Sequence, residues 1–293
     1  MSLLTMIRNI MLLVPGLAPE EVKSLLNSAY LTLSREEWNY LLISYTIPTS
    51  SIYSTGTISI SSDGVVTGTG TSFTSSMVGS FLRCHYSDAF FTISAYTNAT
   101  TLTLSDWTGE TVTDESYSIF KTIYTLPSTF STLHDVIYQC PLEKRSQSIF
   151  NSYDPYRSAS ASAPLYWAHA GFDSSGNLQF EVYPVPSDVV PLRCYGRRKI
   201  TLLSSDSDTP YLPEDLIEAK TAYDALLLKL SRDPSGAWKD LLPQFRERYL
   251  DTYDHVRSED RYRGDFPDKV KDRFSTQTLV TPSDSFWYNH DDL

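Results

Sequence analysis

The sequence predicts an α+β protein: a helical-bundle core carrying a β-hairpin, an inserted small all-β domain of barrel or sandwich type, and an extended C-terminal arm. Three observations carry this expectation. Residues 178–230 read as two alternating strands running into an amphipathic helix, with helical patterns also near both ends of the core. At Thr49 the composition turns abruptly to Thr, Ser and Gly in short alternating runs that last to Lys121. From Ser258 onward charges of both signs alternate and apolar periodicity is lost. The expected division is a discontinuous core of residues 1–49 and 123–257, an insertion at 50–122 that should fold autonomously, and an arm at 258–293.

The central block justifies itself residue by residue. Leu178, Phe180 and Val182 alternate with Gln179, Glu181 and Tyr183, the period of a strand with one buried face. Pro184, Pro186 and Asp188 turn the chain. Val190, Leu192 and Cys194 alternate with Arg193 and Tyr195 in a strand expected to return antiparallel to the first. Pro213 suits a helix's first turn, where no N–H partner is needed. Leu216, Ala219, Tyr223, Leu226 and Leu230 then form one apolar stripe.

Elsewhere, residues 3–14 predict a short core helix, stopped by Pro15-Gly16, rather than a signal peptide: no basic segment precedes the apolar run and Arg8 interrupts it. Pro19-Glu20-Glu21 opens a second helix with acidic residues at its positive end. Ser34-Arg35-Glu36-Glu37 reads as a capping box starting a third, striped by Trp38, Leu41, Leu42 and Tyr45 and ended by Pro48. In the β segment, Asp63-Gly64 predicts a hairpin, and Asn98 and Asp106 mark turns. STLHDVIYQC fits a strand or a short helix. Residues 145–176 read as a long polar loop. After Asp233-Pro234-Ser235-Gly236 comes a last helix with Trp238, Leu241, Leu242, Phe245, Tyr249 and Tyr253, which Pro243 either kinks or begins.

The 293 residues are 41% hydrophobic and 20% charged, a globular balance, with a formal net charge of -11 that argues against phosphate-backbone binding. Cys84, Cys140 and Cys194 include no CxxC pair, which points to a reducing compartment and away from disulfides or zinc. Catalytic signatures are not found. Gly64, Gly68 and Gly70 have no helix after them, so they are hairpin and bulge glycines. His85, His134, His169, His255 and His290 are dispersed. Asp206 and Asp208 lack the rest of a calcium loop, and no GxSxG elbow occurs. The expectation is therefore a protein without enzymatic activity, cofactor or metal, and with weak duplex DNA binding.

Two stretches stand out as partner-binding candidates. Arg197-Arg198-Lys199 is a local basic patch on an acidic chain, better suited to acidic surface of a neighbouring subunit than to phosphates. In the arm, Phe274 and the consecutive rings Phe286, Trp287 and Tyr288 are of the type that carries interface energy.

LLNSAYLTLSREEWNYL, with its Asn-x-Ala-Tyr step and a Trp about one helix later, resembles the early helix pair of the head-to-tail adaptor (connector) proteins of tailed bacteriophages. TISISSDGVVTGTGTSF and YSIFKTIYTLP resemble a β module found in phage neck and tail proteins. APLYWAHAG, LQFEVYPVPSDVVPLRCYGRRK and YLPEDLIEAK resemble the hairpin-to-helix block that follows. The resemblance covers roughly residues 19–230. It implies a structural virion protein assembled in the host cytoplasm, without catalytic residues and without a membrane. It also implies a homo-oligomeric ring, of twelve subunits to match the portal, that contacts the portal and the tail or nozzle proteins and passes DNA through its channel. The competing expectation is a tail-associated or surface β module that binds a glycan or another virion protein, with Tyr53, Tyr86, Tyr96 and Trp107 as candidate sugar-facing rings.

Overall fold

In a computed structural model the described residues are 2–85, 89–233 and 237–264, the side chains of 237 and 262–264 excepted. The elements in chain order are α1 (Leu3–Leu13), α2 (Pro19–Leu33), β1 (Leu42–Pro48), β2 (Thr57–Ile60), β3 (Val65–Thr69), β4 (Phe81–Cys84), β5 (Phe90–Asn98), β6 (Thr101–Leu104), β7 (Val112–Glu115), β8 (Tyr117–Phe120), β9 (Ile123–Thr125), β10 (Phe130–Tyr138), β11 (Cys140–Pro141), β12 (Glu143–Lys144), α3 (Gln147–Tyr153), β13 (Ser160–Ala161), β14 (Tyr166–Phe172), β15 (Leu178–Tyr183), β16 (Val185–Pro186), β17 (Pro191–Arg198), α4 (Glu214–Arg232) and α5 (Leu242–Gly264). The protein is a mixed α+β structure, and its described residues separate into two compact units, one of 2–41 with 200–233 and 237–264, the other of 42–85 with 89–199.

The first unit is helical. Ser2 caps α1, accepting from Thr5 N–H, and Leu3, Met6, Ile7 and Ile10 are its buried residues. On α2, Val22, Leu26, Ala29, Tyr30 and Leu33 are buried, and the Glu21 carboxylate accepts from Ala18 N–H at 3.0 Å. These stripes meet Leu216, Ile217 and Ala225 of α4 and Val256 of α5 in one apolar core. Burying such a side chain is worth roughly 1.5–3 kcal/mol. Asn27 pins the approach to α4 by exchanging two hydrogen bonds with the backbone of Leu203. Pro213 stands just before α4 as its N-cap residue. Pro243 lies in the first turn of α5, so it begins that helix.

The capping-box expectation at Ser34 is corrected. Ser34 is the C-cap of α2, and its hydroxyl donates to Leu31 O. A short 3-10 turn, Asn39–Leu41, follows, and Leu42 and Tyr45 lie in strand β1, exposed rather than buried in a third helix. The 3-10 turn is capped from α5. Asp260, 2% exposed, accepts from the N–H groups of Asn39 and Tyr40 at 3.0 Å each. Trp38 packs edge-on against Tyr253 at 5.8 Å. Residues 258–264 therefore continue a helix and are not extended; the rest of the expected arm lies outside the described residues. Asp260→Ala would leave two half-buried N–H donors without their carboxylate. We expect it to lower stability by about 2–3 kcal/mol, read as an earlier urea midpoint, whereas a loss below about 0.5 kcal/mol would show that the cap is dispensable.

The second unit is built of sheets. Strands β7-β2-β3-β6-β5-β4-β8, in that order, form one curled antiparallel sheet. Its two edge strands, β7 and β8, are separated by Ser116 alone in the sequence, so the sheet bends round as a half-barrel. Ile58, Ile60, Val66, Leu82, Ile93, Leu102 and Ile119 fill it. The Asp63-Gly64 hairpin is as expected: Gly64 has φ 79° and β2 pairs with β3. Asn98 turns the chain into β6, its side chain accepting from Thr100 N–H, and Asp106 takes φ 60°.

The expected hairpin of residues 178–198 is a second correction. β15 does not pair with β17. It lies between β14 and β9, whereas β17 lies between β1 and β10. The two strands face each other across a shared core of Phe180, Val182, Leu192, Cys194 and Trp167, so the buried face was read correctly and the partner was not. In β17, Gly196 is required by close approach, since a Cβ there would lie 2.1 Å from the Thr132 carbonyl oxygen. STLHDVIYQC contributes strand β10. The expected polar loop at 145–176 instead holds α3, β13 and β14.

Candidate interaction surface

Helix α3 organises the surface of the second unit. Its sequence QSIFNSY turns Phe150 inward, 2% exposed, where it stacks on Tyr183 of β15 at 5.3 Å. Tyr153, one turn on, is 82% exposed. Ile149, Phe150 and Tyr153, with Tyr166, Tyr183 and Arg145, line a cleft of about 370 Å³. A neighbouring cleft of about 580 Å³ continues along Lys144, Arg145, Ser146, Gln147, Ile149 and His169. Together they form a groove whose lining holds two cations, a histidine, three tyrosines and no carboxylate. Arg145 lies over the Tyr166 ring at 5.6 Å, and Lys144 over the Trp167 ring at 5.1 Å. Burial first, then the charges of Lys144 and His134, lower the His169 pKa. Glu143 at the rim pairs with Arg145 at 2.6 Å, both side chains well exposed. Leu165 and Phe172, at the two ends of β14, are 59% and 67% exposed.

Beneath α3 lies a buried ionic knot. Arg157 donates through Nε to Glu181 Oε1 at 2.6 Å, with side chains 5% and 4% exposed. The same guanidinium donates to Asp154 O and to Asn151 Oδ1, both at 2.6 Å. Glu181 also accepts from Gln147 Nε2 at 3.1 Å and Thr122 Oγ1 at 3.4 Å. Burial would raise the Asp154 carboxyl, but Ala159 N–H, Ser158 N–H and hydroxyl, and Arg157 together hold it below its ordinary value. Arg83 of β4 donates to the carbonyls of Tyr156 and Arg157, tying the half-barrel to this knot. Arg157 itself has φ 53°, a left-handed conformation that a non-glycine residue keeps where its surroundings fix it.

The basic patch predicted from sequence sits elsewhere. Arg197 and Arg198 close β17, Arg197 opposite Leu42 and Thr132, and Lys199 N–H donates to Thr129 O. Their side chains are half-buried at 197 and 198 and exposed at 199. None of the three lines the α3 groove. Phe274, Phe286, Trp287 and Tyr288 lie outside the described residues, as do His290 and Tyr86. The remaining sugar-facing candidates do not converge. Tyr53 packs with Phe73 and Tyr117, Trp107 packs on Phe91, and Tyr96 is 36% exposed. Asp208 is spent on its own loop, accepting from Ser204 and Ser205 N–H. Among the described residues no cluster of His, Cys, Asp and Glu could hold a metal ion, and no helix is long and apolar enough to cross a membrane.

The groove is open to solvent, lined with rings and cations, and lies beside a buried ion pair. The model of the SU10 adaptor protein family matches residues 86–267, more than half of the chain, and the chain belongs to that family, whose members are phage virion adaptor proteins. No match was found among curated proteins.

Proposed function

We propose that this protein is a head-to-tail adaptor that forms a homo-oligomeric ring, of twelve subunits, beneath the portal of a tailed phage and joins the capsid vertex to tail or nozzle proteins. The observation that carries this reading is the α3 groove with Tyr153 exposed at its wall, together with exposed Leu165 and Phe172 before and at the end of β14, apolar surface that a monomer leaves wet. The family supports a virion location, with assembly in the host cytoplasm. The net charge of -11 suits a channel that passes DNA without holding it. In this reading the core formed by residues 1–49 and 123–257 makes the ring body, the β module at 50–122 is an autonomous insertion, and the arm that follows α5 tethers the ring. Arg197, Arg198 and Lys199 face acidic surface of a neighbour, and Phe274, Phe286, Trp287 and Tyr288 anchor the arm on a neighbouring subunit or the portal.

Mass photometry tests this. The protein mixed with purified portal is expected to give a complex heavier than the portal by a fixed ring of subunits. A portal mass unchanged across a range of adaptor concentrations would overturn the reading.

A further inference from the structure

We propose that the acidic-aromatic segment at residues 284–292 of this chain seats in the basic-aromatic groove along α3. The inference rests on the adaptor reading for its biological purpose, but its geometry stands without a ring.

The groove supplies the first half of the case. On a chain with a net charge of -11, the described residues lining both clefts include Lys144, Arg145 and His169 and no carboxylate. The 370 Å³ cleft has an apolar floor of Ile149 and Phe150 and aromatic walls at Tyr153, Tyr166 and Tyr183. A space of that size, apolar inside with charges at its margin, takes a large ring whose flanks are anionic.

The chain supplies the second half. The segment DSFWYNHDD places Phe286, Trp287 and Tyr288 in a row, with Asp284 before them and Asp291 and Asp292 after them. Rings seated in the cleft would bury apolar area, and the flanking carboxylates would meet Lys144, which lies over the Trp167 ring, and Arg145, which lies over the Tyr166 ring and pairs with the exposed Glu143 at the rim. The stretch from Gly264 to Phe286 spans roughly 70 Å when extended, at about 3.3 Å per residue. The segment that fills a groove belongs to the same subunit or to a neighbouring copy of this chain.

The test uses the full-length chain with a photo-crosslinking benzophenone residue replacing Trp287, irradiated and mapped by mass spectrometry. Crosslinks are expected in 145–166 and at Tyr183. Arg145→Glu should lower their yield about tenfold, the equivalent of about 1.4 kcal/mol, and Tyr153→Ala should lower it as well. Both side chains are exposed, so neither change threatens folding. Combining Arg145→Glu with Asp291→Lys and Asp292→Lys should restore the yield, which a merely structural effect of Arg145 would not allow. Crosslinks confined to residues 1–41 and 200–264, crosslinks to the portal alone, or a yield indifferent to Arg145 would each overturn the proposal. Crosslinks in the groove of a protein that never forms a ring would sustain it while removing the ring.

Discussion

Glu181→Ala is expected to destabilise the protein by about 3–5 kcal/mol, because it strands the Arg157 guanidinium in a site where that side chain is only 5% exposed. The desolvation cost of Arg157 is offset by Glu181 and by the acceptors Asp154 O and Asn151 Oδ1, and the two that remain are neutral. Thr122 and Gln147 would lose their carboxylate acceptor at the same time. The double change Arg157→Met with Glu181→Leu should recover much of the loss, since removing both charges abolishes the desolvation cost of the pair. Thermal and urea unfolding of the two variants check this. A Glu181→Ala protein that melts within a degree or two of the parent would mean that the pair is hydrated and the knot is not structural. Because the knot underlies α3, the single variant should also blunt partner binding through the groove, beyond its effect on melting.

The second large effect is expected at Trp167, which is fully buried in the core between β14, β15, β10 and β17. Trp167→Ala removes the largest side chain of that core and should cost about 3–5 kcal/mol. Trp167→Phe should cost much less. The indole Nε1 is buried without a hydrogen-bond partner among the described residues, so phenylalanine gives up packing volume but also an unsatisfied donor. Urea midpoints for the two variants separate the contributions. Equal destabilisation by Ala and Phe would mean that an interaction of the indole N–H, and not its volume, holds Trp167 in place.

The sequence was most legible where structure is local. The half-barrel declares itself through alternating runs and turn residues: TISISS, VVTGTGTSF, FLRCHY, FFTISAY, TLTLS and YSIF coincide with β2 to β6 and β8, whereas VTDE of β7 carries no apolar alternation. The α4 stripe was legible because 3.6-residue periodicity is a local property, and Leu216, Ala219 and Leu226 are buried as it requires. Pairing was not legible. The alternation of 178–183 and 191–198 located two buried faces, but the partners of these strands lie at residues 166–172 and 123–125, and at 42–48 and 130–138. Proximity along the chain favoured a hairpin, and packing of two sheets across one core prevailed. At Ser34 the Ser-x-x-Glu pattern was present without its helix. The β-branched run after it, Ile43, Thr46 and Ile47, joins a sheet edge, and the turn between is capped by Asp260, more than two hundred residues away.

The groove was hidden for a related reason. Residues 145–176 look polar because their burial is achieved by ion pairing: Arg157 is as deeply placed as a core residue, and its partner Glu181 sits on a strand that otherwise reads as alternating. A local signal did exist in the spacing of Arg145, Ile149 and Tyr153, four residues apart as on one helix face, and in the Tyr166-Trp167 pair. The basic triplet 197–199 was conspicuous by contrast, yet two of its members are half-buried at a strand end.

Cryo-electron microscopy of the intact phage vertex tests the adaptor assignment most directly. The expected result is a closed ring of this chain directly beneath the portal, with the α3 groove covered by protein and the channel open to DNA. Density for this chain at a tail fibre or tail tip, with some other protein filling the ring under the portal, would contradict it.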